Sequence, residues 1–447
     1  MWMSHDGALA KRCSRRGRAG RRLPAALISC AIIFLGSLAS YGRAAAHPAA
    51  QLRVPITEFG AVPDGKTLNT SAIQAAIDHA GAIGGATVVI PRGVFLTGAL
   101  FLKPGVDILL EKDAVLKGSS RTTDYPVKLT RIEGHFERWL TALLNADGAH
   151  HLRVTGEGTI DGSGKTFWRT FLDRRHQNPD VTNLEVARPR LIFIQNSSDV
   201  LVSGIALRDA GFWNVHLYHC CDVVLERLNI TTPSRGRSGR APSSDGIDID
   251  SSQRVGVRGC VFSVDDDCIA LKGTKGPFAL RDTGSSPVER ILVEGCTFEA
   301  GHGALTVGSE ATVVRHVVME NCTIRGRMPV LRMKLRPDTP QDYEDIICRD
   351  LTLDGTGSLA AIAPWMQFFD LKGQPPPSSR VSDITFSDIK GSFGSLGSIR
   401  GHDKTLIAGI LFEDIDLKLK NARLDHGPVE SLVFRNVVIN GRTFQGR

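Results

Sequence analysis

Three aspartates mark where this sequence could do chemistry. Asp245 stands 21 residues before Asp266, with Asp267 next to it, inside PSSDGIDIDSSQRVGVRGCVFSVDDDCIALKGTKG at residues 242–276. A single acidic residue in a turn is ordinarily just solvated. Carboxyls brought together push one another's pKa apart, so one keeps a proton while another stays ionised near neutral pH. That pairing serves hydrolysis of a glycosidic bond, where one carboxyl protonates the leaving oxygen and another activates water. An inverting pair needs carboxyls roughly 6.5–9.5 Å apart. Side chains splayed from strands about 4.8 Å apart can reach that separation.

The element that must position them is a stack of short strands. GIDID, QRVGVRGCVF and CIALK alternate with a period of two and are broken by Ser and Gly turns. Similar runs recur along the chain as VLVSGIAL, VVLERLNI, RILVEGCTF, HVVMENCTI, DIICRDLTL, DITFSDIKG, GILFEDIDL and SLVFRNVVI. The equivalent apolar residues are Ile205, Leu228, Cys260, Cys296, Cys322, Leu351, Ile389, Ile415 and Val437, in steps of 23, 32, 36, 26, 29, 38, 26 and 22. A base period in the low twenties with loop insertions predicts an all-β chain. Its form is a single-stranded right-handed parallel β-helix of about ten coils, each too small to bury a core without its neighbours. A sandwich would show Asn-Gly or Asp-Gly hairpin turns between the runs, and these are missing. In the β-helix, the 21-residue return lays Asp245 beside Asp266 and Asp267. Alternation in GIDID turns Asp248 and Asp250 outward toward the groove, and Asp265 flanks the Asp pair.

Residues 1–46 read as an export signal rather than as part of the fold. Arg15, Arg16, Arg18, Arg21 and Arg22 precede an apolar run from Leu23 to Leu38, and Ala44-Ala45-Ala46 offers small residues for cleavage. The catalytic domain is then 47–447, exported to the periplasm or secreted. The chain carries 54 Lys and Arg against 47 Asp and Glu, and residues 1–46 hold eight basic residues and one acidic. Both counts for the remainder are therefore 46, and the formal charge of +7 belongs to the signal. A neutral mature chain gives no basic face for nucleic acid. Seven cysteines remain, an odd number without zinc spacing, so neither a disulfide framework nor a metal site is expected. Cys260, Cys296 and Cys322 recur at one repeat position and read as small buried hydrophobes in a ladder. One helix is expected, over Ala72–Ala80, capped by Thr70-Ser71, stopped by Gly81 and Gly84-Gly85, and covering the open end of the solenoid.

At this point the chain resembles the polygalacturonases, pectin-degrading glycoside hydrolases of family 28 that fold as right-handed parallel β-helices. The likeness runs over nearly all of residues 53–445. It begins at ITEFGAVPDGKTLNTSAIQAAID, passes through FLTGALFLKPGVDILLE, GEGTIDGSG and GFWNVH, and is strongest from 243 to 336. The family's Asn-Thr-Asp motif appears as Ser243-Ser244-Asp245 and its Asp-Asp motif as Asp266-Asp267. Gly-His-Gly is intact as Gly301-His302-Gly303, and Arg-Ile-Lys appears as Arg332-Met333-Lys334. The resemblance implies that Asp266 is the general acid. It implies that Asp245 and Asp267 activate water with inversion, and that His302 supports the acid's protonation. Arg332 and Lys334 would then bind a substrate carboxylate, with no cofactor and no metal.

Departures from the family pattern bear on the substrate. Ser243 replaces an amide, and Met333 with the following LRPDTP changes the surroundings of the basic motif. Arg336 could compete with Arg332, and Trp213 and Trp365 could either stack on sugar rings or be covered by loops. The 35 residues from Asp267 to His302 hold a long insertion, GTKGPFALRDTGSSPVER, beside the cleft. Such walls favour cleavage from a chain end. The reading is a monomeric, inverting hydrolase of α-galacturonosidic bonds, acting on pectic polysaccharide or oligogalacturonide and possessing no membrane span once mature. Rhamnogalacturonan and xylogalacturonan are alternative substrates. A calcium-dependent pectate lyase and a non-catalytic carbohydrate-binding β-helix are alternatives of other classes.

Overall fold

The structure, a computed structural model, describes residues 52–233 and 240–446. The reading of residues 1–46 as an export signal lies outside them. Thirty-one strands join one continuous, almost entirely parallel sheet that wraps around a single apolar core. Three columns of strands form its faces. One column stacks Ser198–Ser203, Cys221–Glu226, Gln253–Arg258 and Val288–Glu294. A second stacks Ile192–Gln195, Val215–Tyr218, Ile247–Asp250, Ile269–Lys272, Leu305–Val307 and Leu331–Leu335. A third stacks Ala206–Arg208, Asn229–Thr231, Val261–Ser263 and Thr297–Ala300. This is the parallel β-helix that the repeats predict.

The register follows the repeat. Val202 lies against Leu225, Leu225 against Val257, Val257 against Val293 and Val293 against Met319. Cys322 then meets Leu351, Leu351 meets Ile389, Ile389 meets Ile415, and Ile415 meets Val437. Stacking like on like fills the core, because a period-two strand delivers alternate side chains inward. Each repeat residue is preceded by a bend in the left-handed region. Gly204, Arg227, Gly259, Gly295, Asn321, Asp350, Asp388, Asp414 and Asn436 all have φ between +50° and +78°. Gly, Asn and Asp bear that conformation best, which explains the Gly or Asn seen at the bend. Cys260, Cys296 and Cys322 stack in the core as expected, the Cys296 amide donating to Cys322 Sγ at 3.4 Å. All seven described cysteines are buried free thiols.

Three local expectations change. The first helix runs Thr70–Ala82, so Thr70 and Ser71 lie inside it and Gly81 does not stop it. Asn69 precedes it without a capping bond, because its side chain is tied to Val62 and Thr67. Ile73, Ala76, Ile77 and Ala80 are fully buried against the first coils. A second helix, Lys165–Gln177, has a charged sequence that hides a stripe of Phe167, Trp168 and Phe171. Last, a hairpin interrupts the parallel order. Val127–Ile132 pairs antiparallel with His135–Leu140. Its turn is Glu133-Gly134, both residues with positive φ, so Glu-Gly does here what Asn-Gly usually does.

Candidate active site

The carboxylates are brought together by the second strand column. Ile247 pairs with Ile269, a step of 22 rather than 21. Asp245 therefore stands level with Asp267, and the Gly246 amide donates to the Asp267 carbonyl at 2.9 Å. One oxygen from each of Asp245, Asp266 and Asp267 lies within 4.8 Å of the others. Their closest approach is thus tighter than the splayed separation expected from the sequence. The side chains of Asp245 and Asp267 are buried, and Asp266 is 27% exposed toward the cleft.

The next coils supply the partners. His302 Nδ1 lies 3.1 Å from Asp266 Oδ1, and the His302 amide donates to the Asp266 carbonyl at 2.9 Å. The flanking glycines are needed for close approach. A Cβ at Gly301 would sit 2.5 Å from Cys268 Sγ, and one at Gly303 would press on Thr306 and the stem of Arg332. Lys334 Nζ donates to Asp267 Oδ2 at 2.6 Å, and Arg332 Nη1 and Thr306 Oγ1 donate to Oδ1 at 3.3 and 2.9 Å. Arg332 and Lys334 also lie over the ring of Trp365. Arg336 does not compete, because Asp338 takes both of its prongs at 2.8 and 2.7 Å.

These contacts separate the carboxyls electrostatically. Burial raises Asp245 well above the ordinary aspartate value, reinforced by the charges of Asp248 and Asp266. Burial would raise Asp266 too, but the hydrogen bond and charge of His302 hold it below that value. Asp267 is likewise depressed against its burial, chiefly by Lys334. His302 is raised by its bond to Asp266, so the proton of the His302–Asp266 pair rests on the imidazole. Coupled groups titrate as a unit.

One sequence expectation fails beside the cleft. Asp248 and Asp250 face outward but do not line it, for both are fully buried. The coil is covered here by the hairpin, whose Arg131 donates to Asp250 Oδ2 at 2.9 Å. Burial would raise Asp250, but Arg131 holds it down at about 2. Of the two alternatives for Trp213 the structure shows the covered one: it is 3% exposed, its ring edge against His216. Asp265 accepts the Ala241 amide at 2.9 Å and flanks the pair structurally. Ser243 has φ of +57° and receives Arg188 at 3.3 Å, while the same guanidinium donates to the Pro242 carbonyl at 2.7 Å. A buried arginine thus braces the loop in which the family has an amide.

Sequence reasoning missed Lys272, Glu310 and Glu133. The cleft has a volume of about 250 Å³, and all three line it. Glu133, at the hairpin tip, accepts from Asn183 at 2.9 Å on one side and pairs with Lys275 at 3.7 Å on the other. Lys275 belongs to the long insertion and also reaches Glu310 at 3.8 Å. Arg131 fastens the hairpin to that insertion through Thr274 at 2.8 Å and Asp282 at 3.3 Å. Glu133 thereby ties the hairpin to the insertion at the lining of the cleft. The only signals for it were the Glu-Gly turn and its flanking alternation. Among the described residues, Asp245, Asp266 and Asp267 are the group that could reach a cation. Lys334, Arg332 and Lys272 already face those oxygens and would compete with it.

A model of the glycosyl hydrolases family 28 matches residues 82–427. The chain belongs to family 28. It is a glycoside hydrolase. Among its relatives is a probable polygalacturonase of Vitis vinifera, 28% identical over 67% of this chain, which spans 60% of that protein's length. An exopolygalacturonase of Zea mays is 28% identical over 81% of this chain and 83% of its own. In fold, the family 28 exopolygalacturonase of Yersinia enterocolitica superposes with a TM-score of 0.73 at 22% identity, covering 88% of this chain and 76% of that one. Among the described residues no helix is long and apolar enough to cross a membrane.

Proposed function

We propose that this family 28 enzyme hydrolyses α-galacturonosidic bonds of pectic polysaccharide with inversion, working from a chain end. The observation that carries the reading is the Asp266–His302 pair at 3.1 Å beside Asp245 and Asp267, with Arg332 and Lys334 at the same edge. Asp266 is the most exposed of the three carboxyls, and it passes to the glycosidic oxygen the proton that His302 supplies across their 3.1 Å contact. Asp267 accepts from three donors that fix its orientation, and a carboxylate offers about four lone-pair sites, so one remains to orient the attacking water. Asp245, whose carboxyl has no hydrogen bond among the described residues, takes that water's proton in its ionised form, which burial and the neighbouring carboxylates oppose and Lys272 at 3.7 Å favours. The C–O bond to the leaving sugar breaks as water adds from the opposite face, so one proton enters at Asp266 and one leaves through Asp245. Arg332 and Lys334 meet the substrate carboxylate, a planar fork and a point charge suited to it.

Two named relatives support the chain-end part of the reading. One is the exopolygalacturonase of Zea mays, the other an exo-poly-alpha-D-galacturonosidase of Dickeya chrysanthemi, 27% identical over 69% of this chain. The Glu133–Lys275 pair, which ties the hairpin to the insertion at the cleft, fits this reading as an end wall against which a chain end would stop. An elimination mechanism would need a neutral amine as base. Lys272 is unsuited to that, because Glu310, Asp245 and Asp248 hold it charged against its burial. Export follows from the Arg-rich, apolar and Ala-rich segments of residues 1–46, leaving a single catalytic domain at 47–447 that acts as a monomer.

The test is product analysis on polygalacturonan. Release of monomer or dimer from the outset, with inverted anomeric configuration by early NMR, is the expected result. Retained configuration or unsaturated products would overturn the mechanism. Products of mixed length would overturn the chain-end reading alone. Glu133→Ala combined with Lys275→Ala should open the groove and lengthen the early products.

A further inference from the structure

Lys272 has no part in the four motifs, yet it pairs with three carboxylates, more than any other described cation lining the cleft. Its side chain is 6% exposed, and the ammonium lies 3.7 Å from Asp245 Oδ2, 3.5 Å from Asp248 Oδ1 and 3.4 Å from Glu310 Oε2. It also sits 4.8 Å over the Trp213 ring. Burial of a lysine opposes its charge, so a buried ammonium persists only where carboxylates surround it. Here three do.

The sheet explains how it comes to be there. Leu271 pairs with Val307, and Val307 with Met333. Lys272, Gly308 and Lys334 therefore follow one another up the column, with a lysine on each side of a residue lacking a side chain. Lys334 reaches Asp267. Lys272 is the matching cation for Asp245, and among the described residues it alone pairs with that carboxyl. Its other two partners anchor it. Asp248 is fully buried, and neither of its oxygens has a hydrogen-bond partner. Glu310 is fixed from behind by Ser309 at 2.7 Å and approached by Lys275.

We propose that Lys272 is a positioning residue of the reaction: clamped between Asp248 and Glu310, its ammonium fixes the place of Asp245 and keeps that carboxyl able to take a proton from water. The proposal rests on the functional reading above and adds the group that makes Asp245 a base. The charges facing Asp245 come from every side. Asp248 lies on the strand that follows Asp245, Asp266 and Asp267 on the turn of the next coil, Lys272 on the strand after that turn, and Arg188 behind the loop. Three of these are carboxylates that disfavour ionisation of Asp245, and Lys272 is the contacting cation that favours it. Lys272 is not a ligand for substrate in this arrangement, since its three hydrogens already face carboxylates.

The test replaces Lys272 by Met, which keeps the stem and removes the charge, by Gln, which still donates to Asp248 and Glu310, and by Arg. The first readout needs no activity. The side-chain carboxyl of Asp245 is titrated by ¹³C NMR, its signal identified by loss in Asp245→Asn. It should move up by about one pH unit or more in Lys272→Met and Lys272→Gln, a roughly tenfold gain in proton affinity, and return toward wild type in Lys272→Arg. The acid limb of kcat/KM on oligogalacturonate should move the same way, with KM within about twofold. If Lys272→Met does not fold, the Gln variant carries the same expectation. An unmoved Asp245 titration in the folded variants would overturn the proposal, as would a large rise in KM with the titration unmoved. If the wild type releases no reducing ends from polygalacturonan, the functional reading falls. The carboxyl titration still decides the hold of Lys272 on Asp245.

Discussion

The cleft-bearing coils and the C-terminal coils use the same rung and fill it differently. From Ser379 onward the chain forms long regular strands, and like stands on like. Phe386, Phe412 and Phe434 stack at centroid distances of 5.1 Å with planes 12° apart. In the cleft-bearing coils the column is mixed. His216 stands against Asp248, Tyr218 against Asp250, and Asp250 against Lys272. Thr306 stands against Arg332. A parallel stack sets neighbours about 4.8 Å apart, so similar apolar groups gain contact, while charges at that spacing must alternate in sign or share protons. One architecture thus gives stability where its ladders repeat and chemistry where they are broken.

The largest expected effect lies on the chemical side. Asp266→Asn keeps shape and removes the transferable proton, so kcat should fall about 10²–10⁴-fold with the melting curve little changed. A substrate whose leaving group hardly needs protonation should be rescued in Asp266→Asn and not in Asp245→Asn. Rescue in Asp245→Asn instead would exchange the two roles. Phe412→Ala should show the opposite signature. Losing a fully buried ring costs about 3–5 kcal/mol, and a solenoid propagates loss between neighbouring coils. The measurement is chemical denaturation alongside kcat per folded molecule, which should hold. If kcat fell with stability intact, the two regions would not be separable.

How far these features could be read from residues alone follows the same division. The ladder was legible in detail, because the bend residues and apolar positions that fix the register recur in every coil. The steps of 22 to 38 residues equal the observed pairings. The motif carboxylates, His302, Arg332 and Lys334 were legible through motif order. Lys272 was not, because CIALK reads as an alternating strand, and nothing in it tells that the outward lysine meets Asp245 and Glu310. Asp248 and Asp250 were misjudged for a related reason. Alternation gives the face, whereas burial depends on the hairpin lying over it. The step of 22 instead of 21 shows the limit of counting, since turn residues before a strand are not in register until the pairing is known.

A smaller effect is expected in the pH dependence. The His302–Asp266 pair contributes through both partners. His302 has a raised pKa in the folded state, so its contribution is complete below about 6.5 and is lost as pH rises through the folded value. Asp266 is depressed, so its contribution is complete above about 3.9 and is lost as pH falls through its lower folded value. Stability and the protonated pair should therefore share a plateau in mildly acid solution. His302→Asn should abolish the alkaline fall of kcat and lower the plateau. An unchanged alkaline limb in that variant would assign the titration elsewhere. No comparable dependence is expected from Phe412→Ala.

The smallest effect tests the bends that both regions share. Asp350 has φ of +53° at an exposed turn. A non-glycine residue held there costs about 1–2 kcal/mol relative to the right-handed region. Glycine removes that strain, but it loses roughly 0.5–1 kcal/mol of backbone freedom on folding. The two nearly cancel, so Asp350→Gly should shift the melting temperature by no more than about 3 °C and leave kcat alone. Asp350→Val brings a branched Cβ to a conformation it tolerates poorly and should lower it more. Arg227 bends with φ of +52° in a coil that pairs with Gln253–Arg258, one coil below the column carrying Asp245. Arg227→Gly and Arg227→Val should show the same order. If valine there also lowered kcat without further loss of stability, the bends near the cleft would do more than turn the chain, and the division between ladder and site would begin at the turns.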